Sequence, residues 1–187
     1  PIVGVHHLAG HIESLTLHNG ELPLPAVVLV VSGGHTSLYL VRSPGTYELL
    51  GRTRDDAAGE AYDKVAKLLG LGYPGGPVVD RLARTGNDRA VSLPTTRLTH
   101  ADRNAPDLKG DLDFSFSGLK TAVLRHVTLQ REQGLAPGDQ DLADLCASFQ
   151  RSVVTTLVNR TFAAARRHGA ACVGVAGGVS ANSRLRT

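Results

Sequence analysis

The chain contains two short apolar runs that each end in a pair of glycines. Ala26 to Val31 is uninterrupted and mostly β-branched, and it leads into Ser32-Gly33-Gly34. Ala171 to Ala176 leads in the same way into Gly177-Gly178. An apolar run of strand length without polar alternation is typical of a strand that is buried on both faces. The two runs are therefore predicted to be buried strands.

Hydrophobic spacing and turn residues predict the other elements. Residues 2–18 start extended and continue as a helix, and Asn19-Gly20 with two nearby prolines ends it. Two more strand patterns follow the first buried strand directly, which predicts a β-meander. The predicted strands are 36–42 and 47–53, and the predicted helices run from Asp55 to about residue 69, from the Pro74–Pro77 turn to about Thr85, over Ser117–Gln130 and over Asp141–His168. Residues 86–113 are predicted as loop and 182–187 as the opening of a helix.

Composition excludes several classes of protein. Hydrophobic residues make up 42% of the 187 residues and charged residues 20%, which excludes a disordered or collagen-like chain. The longest apolar run, Ala26 to Val31, is far shorter than the roughly 20 residues that span a bilayer, so no membrane association is expected. The length corresponds to one ordinary domain or to two small lobes.

Cysteine content and charge bear on compartment and partners. The two cysteines lie in apolar contexts outside any Cys-x-x-Cys motif, which excludes a disulfide framework and favours a reducing cytoplasm. The net charge of +3 permits an RNA partner without requiring one, because the chain has no block of lysines and arginines.

His7 and His11 are spaced so that one metal ion could bind both. Residues four apart share one face of a helix, so two imidazoles can contact the same ion. The alternative is a pair of ordinary surface or core histidines. The motif is not that of a zinc protease, because Leu8 stands where the general-base glutamate of that mechanism would follow His7.

Three glycine-rich turns are candidates for ligand binding. Ser32-Gly33-Gly34 lets backbone approach an oxyanion closely, although a hairpin turn uses the same residues. Pro74-Gly75-Gly76-Pro77, with Asp80 after it, indicates a backbone that comes close to a ligand or a helix that stops and restarts. The segment from Gly177 to Asn182 follows a buried strand, as in many nucleotide sites, or simply connects a strand to a helix.

Acidic residues cluster before and along one predicted helix. Asp55 and Asp56 fit the role of helix caps, and Asp63 has an ion pair with Lys64 or Lys67 as its ordinary alternative. Farther along, Ser117 is a candidate cap for the next helix. No Ser-His-Asp triad follows from the spacing, and no nucleophilic thiol is evident.

Taken in order, these motifs resemble one family. They are His7 to His11, SGGHT at 32–36, DDAAGEAYDK at 55–64, YPGGP at 73–77, FSFSGLK at 114–120 and AGGVSAN at 176–182. Together they resemble the bacterial branch of the TsaD family, the tRNA threonylcarbamoyladenosine transferases. The likeness covers nearly the whole chain, and its strength lies in the order and gaps of the motifs rather than in any one of them.

The resemblance implies an α/β fold of the actin-like ATPase (ASKHA, RNase H-like) superfamily, with two lobes around a ligand cleft. This chain would hold an incomplete part of it. Residues 1–22 would be the end of the N-terminal lobe with the metal-binding helix. Residues 23–187 would form most of the C-terminal lobe, without its C-terminal part. We therefore do not expect the fragment to be active alone.

The resemblance also implies roles for particular residues. His7 and His11 would bind one divalent metal, Fe(II) or alternatively zinc, with a third ligand, an aspartate, outside this chain. The threonylcarbamoyl-adenylate would contact Val30, Val31, Ser32, Gly33, Gly34, Asp63, Gly76, Asp80 and Asn182. The reaction would transfer the threonylcarbamoyl group to N6 of the tRNA adenosine just after the anticodon, in tRNAs reading codons that start with A, and release AMP. The implied partners are tRNA, threonylcarbamoyl-AMP, a paralogous TsaB-like subunit and a TsaE-like ATPase.

Alternatives from other classes stay open. One is a carbamoyltransferase of the hydrogenase-maturation or antibiotic-modifying type, against which the DDAAGEAYDK and FSFSGLK motifs argue. Another is a non-catalytic scaffold paralogue, which the presence of both histidines disfavours. A third is the protease activity once assigned to this family, for which the general-base glutamate is missing.

Overall fold

The computed structural model describes residues 2, 4, 6–96, 98 and 110–187, with the backbone but not the side chain of His18. In chain order the elements are α1 (His7–Asn19), β1 (Ala26–Val31), β2 (Thr36–Ser43), β3 (Thr46–Arg52), α2 (Ala58–Leu68), α3 (Gly75–Ala83), α4 (Ser117–Glu132), α5 (Asp139–His168) and β4 (Cys172–Ala176), followed by a short 3₁₀ turn at Gly178–Ala181.

The strands form one mixed sheet in the order β3-β2-β1-β4. The first three pair antiparallel as a meander, and β4 lies parallel to β1 with Ala176 opposite Val30. The predicted meander and the predicted buried strand β1 are thereby confirmed. The run from Ala171 to Ala176 does form a strand, but the prediction that it is buried is wrong, because β4 lies at the edge of this sheet and only its Ala176 is buried. The α/β class is confirmed as well, since helices pack on both faces of this sheet.

The continuous apolar run of β1 is explained by what covers its two faces. Val27, Leu29 and Val31 point into the larger core, which lies against α2, α4 and α5. Val28 and Val30 point to the opposite face. Because side chains alternate along a strand, a strand covered on both faces has no position left for a polar residue.

Helix α1 covers that opposite face. Its Ile12 packs with Val28 and Val30 of β1, and Leu15 lies against β4. A Cβ at Gly174 would lie 2.6 Å from Cδ1 of Leu15, so glycine makes room for the helix. The predicted lobe boundary between residues 22 and 23 stays a prediction. The structure shows that α1, which lies before this boundary, packs on the sheet.

Several predicted boundaries need correction. The helix expected from Asp55 begins at Ala58, and the helix expected after the Pro74–Pro77 turn begins inside it, at Gly75. The predicted helix opening at 182–187 is wrong, because these residues form a turn. There Oδ1 of Asn182 accepts the N–H of Leu185 at 3.2 Å, the hydrogen bond of a helix N-cap, but residues 183–185 form only a turn.

The two cysteines are not joined to each other in a disulfide. Cys146 and Cys172 are both free, and burial raises the pKa of the Cys146 thiol to about 11, which leaves it unreactive. Within the described ranges, no helix combines the length and the apolar character that crossing a membrane requires.

Candidate functional site

The two glycine turns that follow β1 and β4, at Ser32–Gly34 and at Gly177–Gly178, meet at one edge of the sheet. Because β1 and β4 are parallel neighbours, their carboxyl ends deliver both turns to the same place. Gly177 has a φ of 94°, and a Cβ there would lie 2.4 Å from the carbonyl oxygen of Val31. Gly59 of α2 also packs closely against this backbone, since a Cβ there would lie 2.7 Å from the carbonyl oxygen of Ser32. Only glycine permits these backbone contacts.

A cavity of about 410 Å³ opens at this edge. In open α/β sheets, ligands bind at the carboxyl ends of strands, which is where this cavity lies. Residues predicted to bind substrate that line it are Gly33, Asp63, Gly76, Asp80 and Asn182. A Cβ at Gly33 or Gly76 would meet nothing within 4 Å, so both glycines leave space open.

The other predicted binding residues do not line the cavity. The side chains of Val30 and Val31 are fully buried in β1. Ser32 is engaged within its own turn, where its hydroxyl accepts the N–H of His35 at 3.1 Å. Gly34 lies exposed in the same turn. These four residues therefore belong to the strand and turn that lead up to the cavity edge.

Asp63 fixes the start of α3. Its Oδ1 accepts the backbone N–H of Gly75 at 2.7 Å. The ion pair considered for Asp63 is not formed with Lys64, which instead pairs with Asp56 and Glu60. Asp63 therefore joins α2 to the Pro74–Pro77 segment at the cavity wall.

Asp80 places a buried negative charge in the cavity. Its carboxylate accepts the N–H of Ser183 at 3.0 Å and the Ser183 hydroxyl at 2.7 Å, and Arg84 donates to it at 3.2 Å. Burial by itself raises the pKa of Asp80, but these hydrogen bonds outweigh burial and leave the pKa below its usual value. The group is therefore ionised at neutral pH.

A buried polar network forms the floor beneath Asn182. Nδ2 of Asn182 donates to Oε1 of Gln150 at 2.8 Å and lies 3.4 Å from the Tyr62 hydroxyl. Burial raises the pKa of Tyr62 well above its ordinary value, so its hydroxyl stays protonated. Sequence reasoning missed Tyr62 and Gln150. The available signal was a glutamine inside the apolar stripe of the longest predicted helix.

The predicted metal ligands lie side by side on α1. The ring centroids of His7 and His11 are 4.6 Å apart, and the His35 ring lies 5.7 Å from that of His7. Two imidazoles on adjacent turns are donors that suit Fe(II) or Zn²⁺. Within the described part of the chain, no three His, Cys, Asp or Glu side chains are arranged to hold a metal. The histidine pair thus fits part of a metal site, and His35 was missed as its neighbour.

One carboxylate joins the motif at 55–64 to the motif at 114–120. Asp55 accepts the backbone N–H groups of Phe116 at 2.8 Å and of Ser117 at 3.3 Å. The prediction that Ser117 caps the helix is wrong, because Ser117 is the first residue of α4 and Asp55 supplies the cap from outside. Asp55 of the DDAAGEAYDK motif therefore holds the FSFSGLK motif in place.

A family model described as TsaD, tRNA N6-adenosine threonylcarbamoyltransferase, matches residues 1–187. Three curated relatives carry the name tRNA N6-adenosine threonylcarbamoyltransferase, and each aligns with 100% of this chain. The relative from Gloeobacter violaceus (strain ATCC 29082 / PCC 7421) is 54% identical and is covered over 51% of its length. That from Anaeromyxobacter sp. (strain Fw109-5) is 53% identical and 52% covered, and that from Koribacter versatilis (strain Ellin345) is 47% identical and 57% covered. The chain thus spans about half the length of these relatives.

Two solved structures share the fold. Component A of the (R)-2-hydroxyglutaryl-CoA dehydratase of Acidaminococcus fermentans matches with a TM-score of 0.51 and 19% identity, over 96% of this chain and 55% of that one. The activator of the 2-hydroxyisocaproyl-CoA dehydratase from Clostridium difficile, with bound ADPNP, matches with a TM-score of 0.51 and 14% identity, over 95% and 53%. Both have the actin-like ATPase fold, which confirms the predicted fold.

Proposed function

Because the chain belongs to the TsaD family of tRNA N6-adenosine threonylcarbamoyltransferases, we propose that the complete protein transfers a threonylcarbamoyl group from threonylcarbamoyl-AMP to tRNA. The acceptor is N6 of the adenosine just after the anticodon, in tRNAs reading codons that start with A. A bond forms between N6 and the carbamoyl carbon, the bond from that carbon to the phosphate oxygen breaks, AMP leaves and N6 loses a proton.

The observation that carries this proposal is the cavity where the two glycine turns meet. Its volume of about 410 Å³ lies in the range of small-molecule sites. Open space at Gly33 and Gly76 lets a ligand approach the backbone closely. The ionised Asp80 supplies an acceptor suited to the hydroxyl groups of a ribose. These features fit the nucleotide part of an adenylate.

The remaining predicted residues take part in the same proposal. Asp63 and Asn182 line the cavity and would contact the nucleotide part of the adenylate. Val30, Val31, Ser32 and Gly34 would contribute through the strand and turn that shape the cavity edge. The proposal assigns no residue of this chain as the base that takes the N6 proton.

His7 and His11 would hold one divalent metal, with Fe(II) preferred over zinc and an aspartate from outside this chain as the third ligand. Their ring spacing of 4.6 Å supports a shared ion. A metal bound there supplies a positive charge that polarises the carbamoyl carbonyl. The chain's own part is to place the two imidazoles on one face of α1, beside the turn that carries His35.

The proposal includes partners and a location. The complete protein would act on tRNA together with a paralogous TsaB-like subunit and a TsaE-like ATPase, without a membrane. Two free cysteines fit a reducing compartment such as the cytoplasm.

Reconstitution tests the proposed function. The full-length protein, its proposed partners, unmodified tRNA, threonine, bicarbonate and ATP are combined, and digested tRNA is analysed by mass spectrometry. We expect threonylcarbamoyladenosine with the wild type, none with His7→Ala, and wild-type yield with His126→Ala, which changes a histidine on α4. A carbamoylated small molecule in place of the modified nucleoside would instead support the carbamoyltransferase alternative.

A further inference from the structure

Gln150 is a buried polar side chain that sequence analysis did not connect with the cavity. It lies within α5, is only 4% exposed, and is surrounded in sequence by core residues such as Phe149 and Val153. Burying a glutamine side chain costs free energy unless its amide forms hydrogen bonds, so the partners of this amide need an explanation.

Its amide group serves two residues of the cavity. Oε1 accepts hydrogen bonds from Nδ2 of Asn182 at 2.8 Å and from the Tyr62 hydroxyl at 3.4 Å. We propose that Gln150 is a positioning residue that holds Tyr62 and Asn182 in the arrangement that binds the nucleotide part of the ligand.

The chemistry of the two partners explains why a glutamine is used. Tyr62 and Asn182 both present donors to Gln150, so they need an acceptor at this position. The amide supplies an uncharged acceptor, whereas leucine supplies none and an ionised glutamate would bury a charge.

The two partners of the amide come from different parts of the fold. Tyr62 comes from α2 and Asn182 from the segment after β4. Gln150 therefore connects α5 to two different walls of the cavity. Losing these bonds would leave buried polar groups unsatisfied, and each wall could then shift independently. The expected consequence is weaker ligand binding rather than a slower chemical step.

The test uses the full-length protein, with AMP as the probe in titration calorimetry. We expect Gln150→Leu to weaken AMP binding at least about ten-fold and to raise the KM for threonylcarbamoyl-AMP while kcat stays within about two-fold. Gln130→Leu, the same change on α4, serves as the matched control and keeps wild-type affinity.

Gln150→Glu separates positioning from general stability. The carboxylate keeps the acceptor for Tyr62 and Asn182 but places a negative charge at a buried position, so its AMP affinity should fall between those of the wild type and Gln150→Leu. Wild-type affinity in both variants would overturn the proposal, as would equal losses in both. If Gln150→Leu does not fold, Gln150→Glu decides alone, and unchanged affinity overturns the proposal.

This inference rests on the proposed function for the identity of its ligand, but the two can fail separately. If the wild type forms no threonylcarbamoyladenosine while Gln150→Leu still loses AMP binding, the transferase assignment fails and the positioning role stands. If the wild type forms the nucleoside and Gln150→Leu keeps both its AMP affinity and its KM, the positioning role fails alone.

Discussion

The hydroxyl of Ser117 donates a hydrogen bond to Oδ2 of Asp55 at 2.7 Å, across 62 residues of sequence. The other oxygen of the same carboxylate accepts the N–H groups of Phe116 and Ser117. The first N–H groups of a helix have no partner within the helix, and a carboxylate placed there also opposes the positive end of the helix dipole. Asp55 therefore caps α4 from the loop that precedes α2.

Replacing Asp55 should destabilise the protein by removing this cap. We expect Asp55→Ala to lower the free energy of unfolding of the full-length protein by about 1–3 kcal/mol, the usual range for losing a helix cap with several hydrogen bonds. Denaturant unfolding measures this change. Glu132→Ala, at the other end of α4, is the matched control and should change stability by less than about 0.5 kcal/mol. Equal effects of the two variants would contradict the capping role.

The cap should also depend on pH. Burial alone would raise the pKa of Asp55, but hydrogen bonds from Ser115, Phe116 and Ser117 outweigh it and lower the pKa. A carboxylate whose pKa is lower in the folded state stabilises above its unfolded pKa of about 3.9, and this contribution disappears as the pH falls through the folded pKa. The stability difference between the wild type and Asp55→Asn should therefore be constant from about pH 5 to 7 and shrink below about pH 4. A difference that grows on acidification would refute this account.

Two neighbouring glycines should separate packing from ligand binding. A Cβ at Gly75 would lie 2.6 Å from Cβ of Ala66 and 2.7 Å from the oxygen of Tyr62, whereas a Cβ at Gly76 would meet nothing. We expect Gly75→Ala to destabilise the full-length protein by about 1–3 kcal/mol. Gly76→Ala should leave stability unchanged or slightly higher, and should weaken AMP binding because its methyl group enters the cavity. Thermal unfolding and calorimetry measure the two effects, and intact AMP binding in Gly76→Ala would contradict the site.

The elements of this fold were largely predictable, because periodicity reports how a strand or helix is covered. The run from Ala26 to Val31 needs a core on both of its faces, and the structure provides one on each. Gly33 and Gly76 were predictable as candidates only, since glycine-rich turns let a ligand approach the backbone but also serve as hairpin turns or helix boundaries. Residues such as Gln150 were not predictable, because their partners are distant in sequence and become neighbours only after folding.

The role of Asp55 also shows that sequence spacing does not identify a partner that is distant in the sequence. Its position before an apolar periodic run fits a cap for the nearest helix, and capping is indeed what it does. The helix that it caps is α4 rather than α2, and only the tertiary structure brings the two together. Local spacing identified the chemical role, whereas the partner depended on the path of the chain.

The effects of replacing Arg54 and Asp113 on stability should be strongly coupled, because the two side chains form an ion pair. Nε of Arg54 lies 2.9 Å from Oδ2 of Asp113, whose side chain is fully buried. Asp113 also accepts the N–H of Arg52 at 3.0 Å, so Asp113→Leu removes several buried hydrogen bonds at once and should lower the free energy of unfolding by about 3–5 kcal/mol. The double variant Arg54→Met with Asp113→Leu should recover part of that loss. A double-mutant cycle measures the coupling, and additive effects of the single changes would argue against it.

Metal content should depend on the histidines of α1 rather than on histidines in general. His7 and His11 face each other across one helical turn, so removing either imidazole removes one of two donors from this chain. We expect full-length His7→Ala and His11→Ala to retain less than about a tenth of the wild-type metal after dialysis, measured by elemental mass spectrometry. His126→Ala should retain it fully. His35→Ala should cause an intermediate loss, because its ring lies 5.7 Å from that of His7 and supports its orientation. Equal metal content in His7→Ala and His126→Ala would show that α1 does not hold the ion.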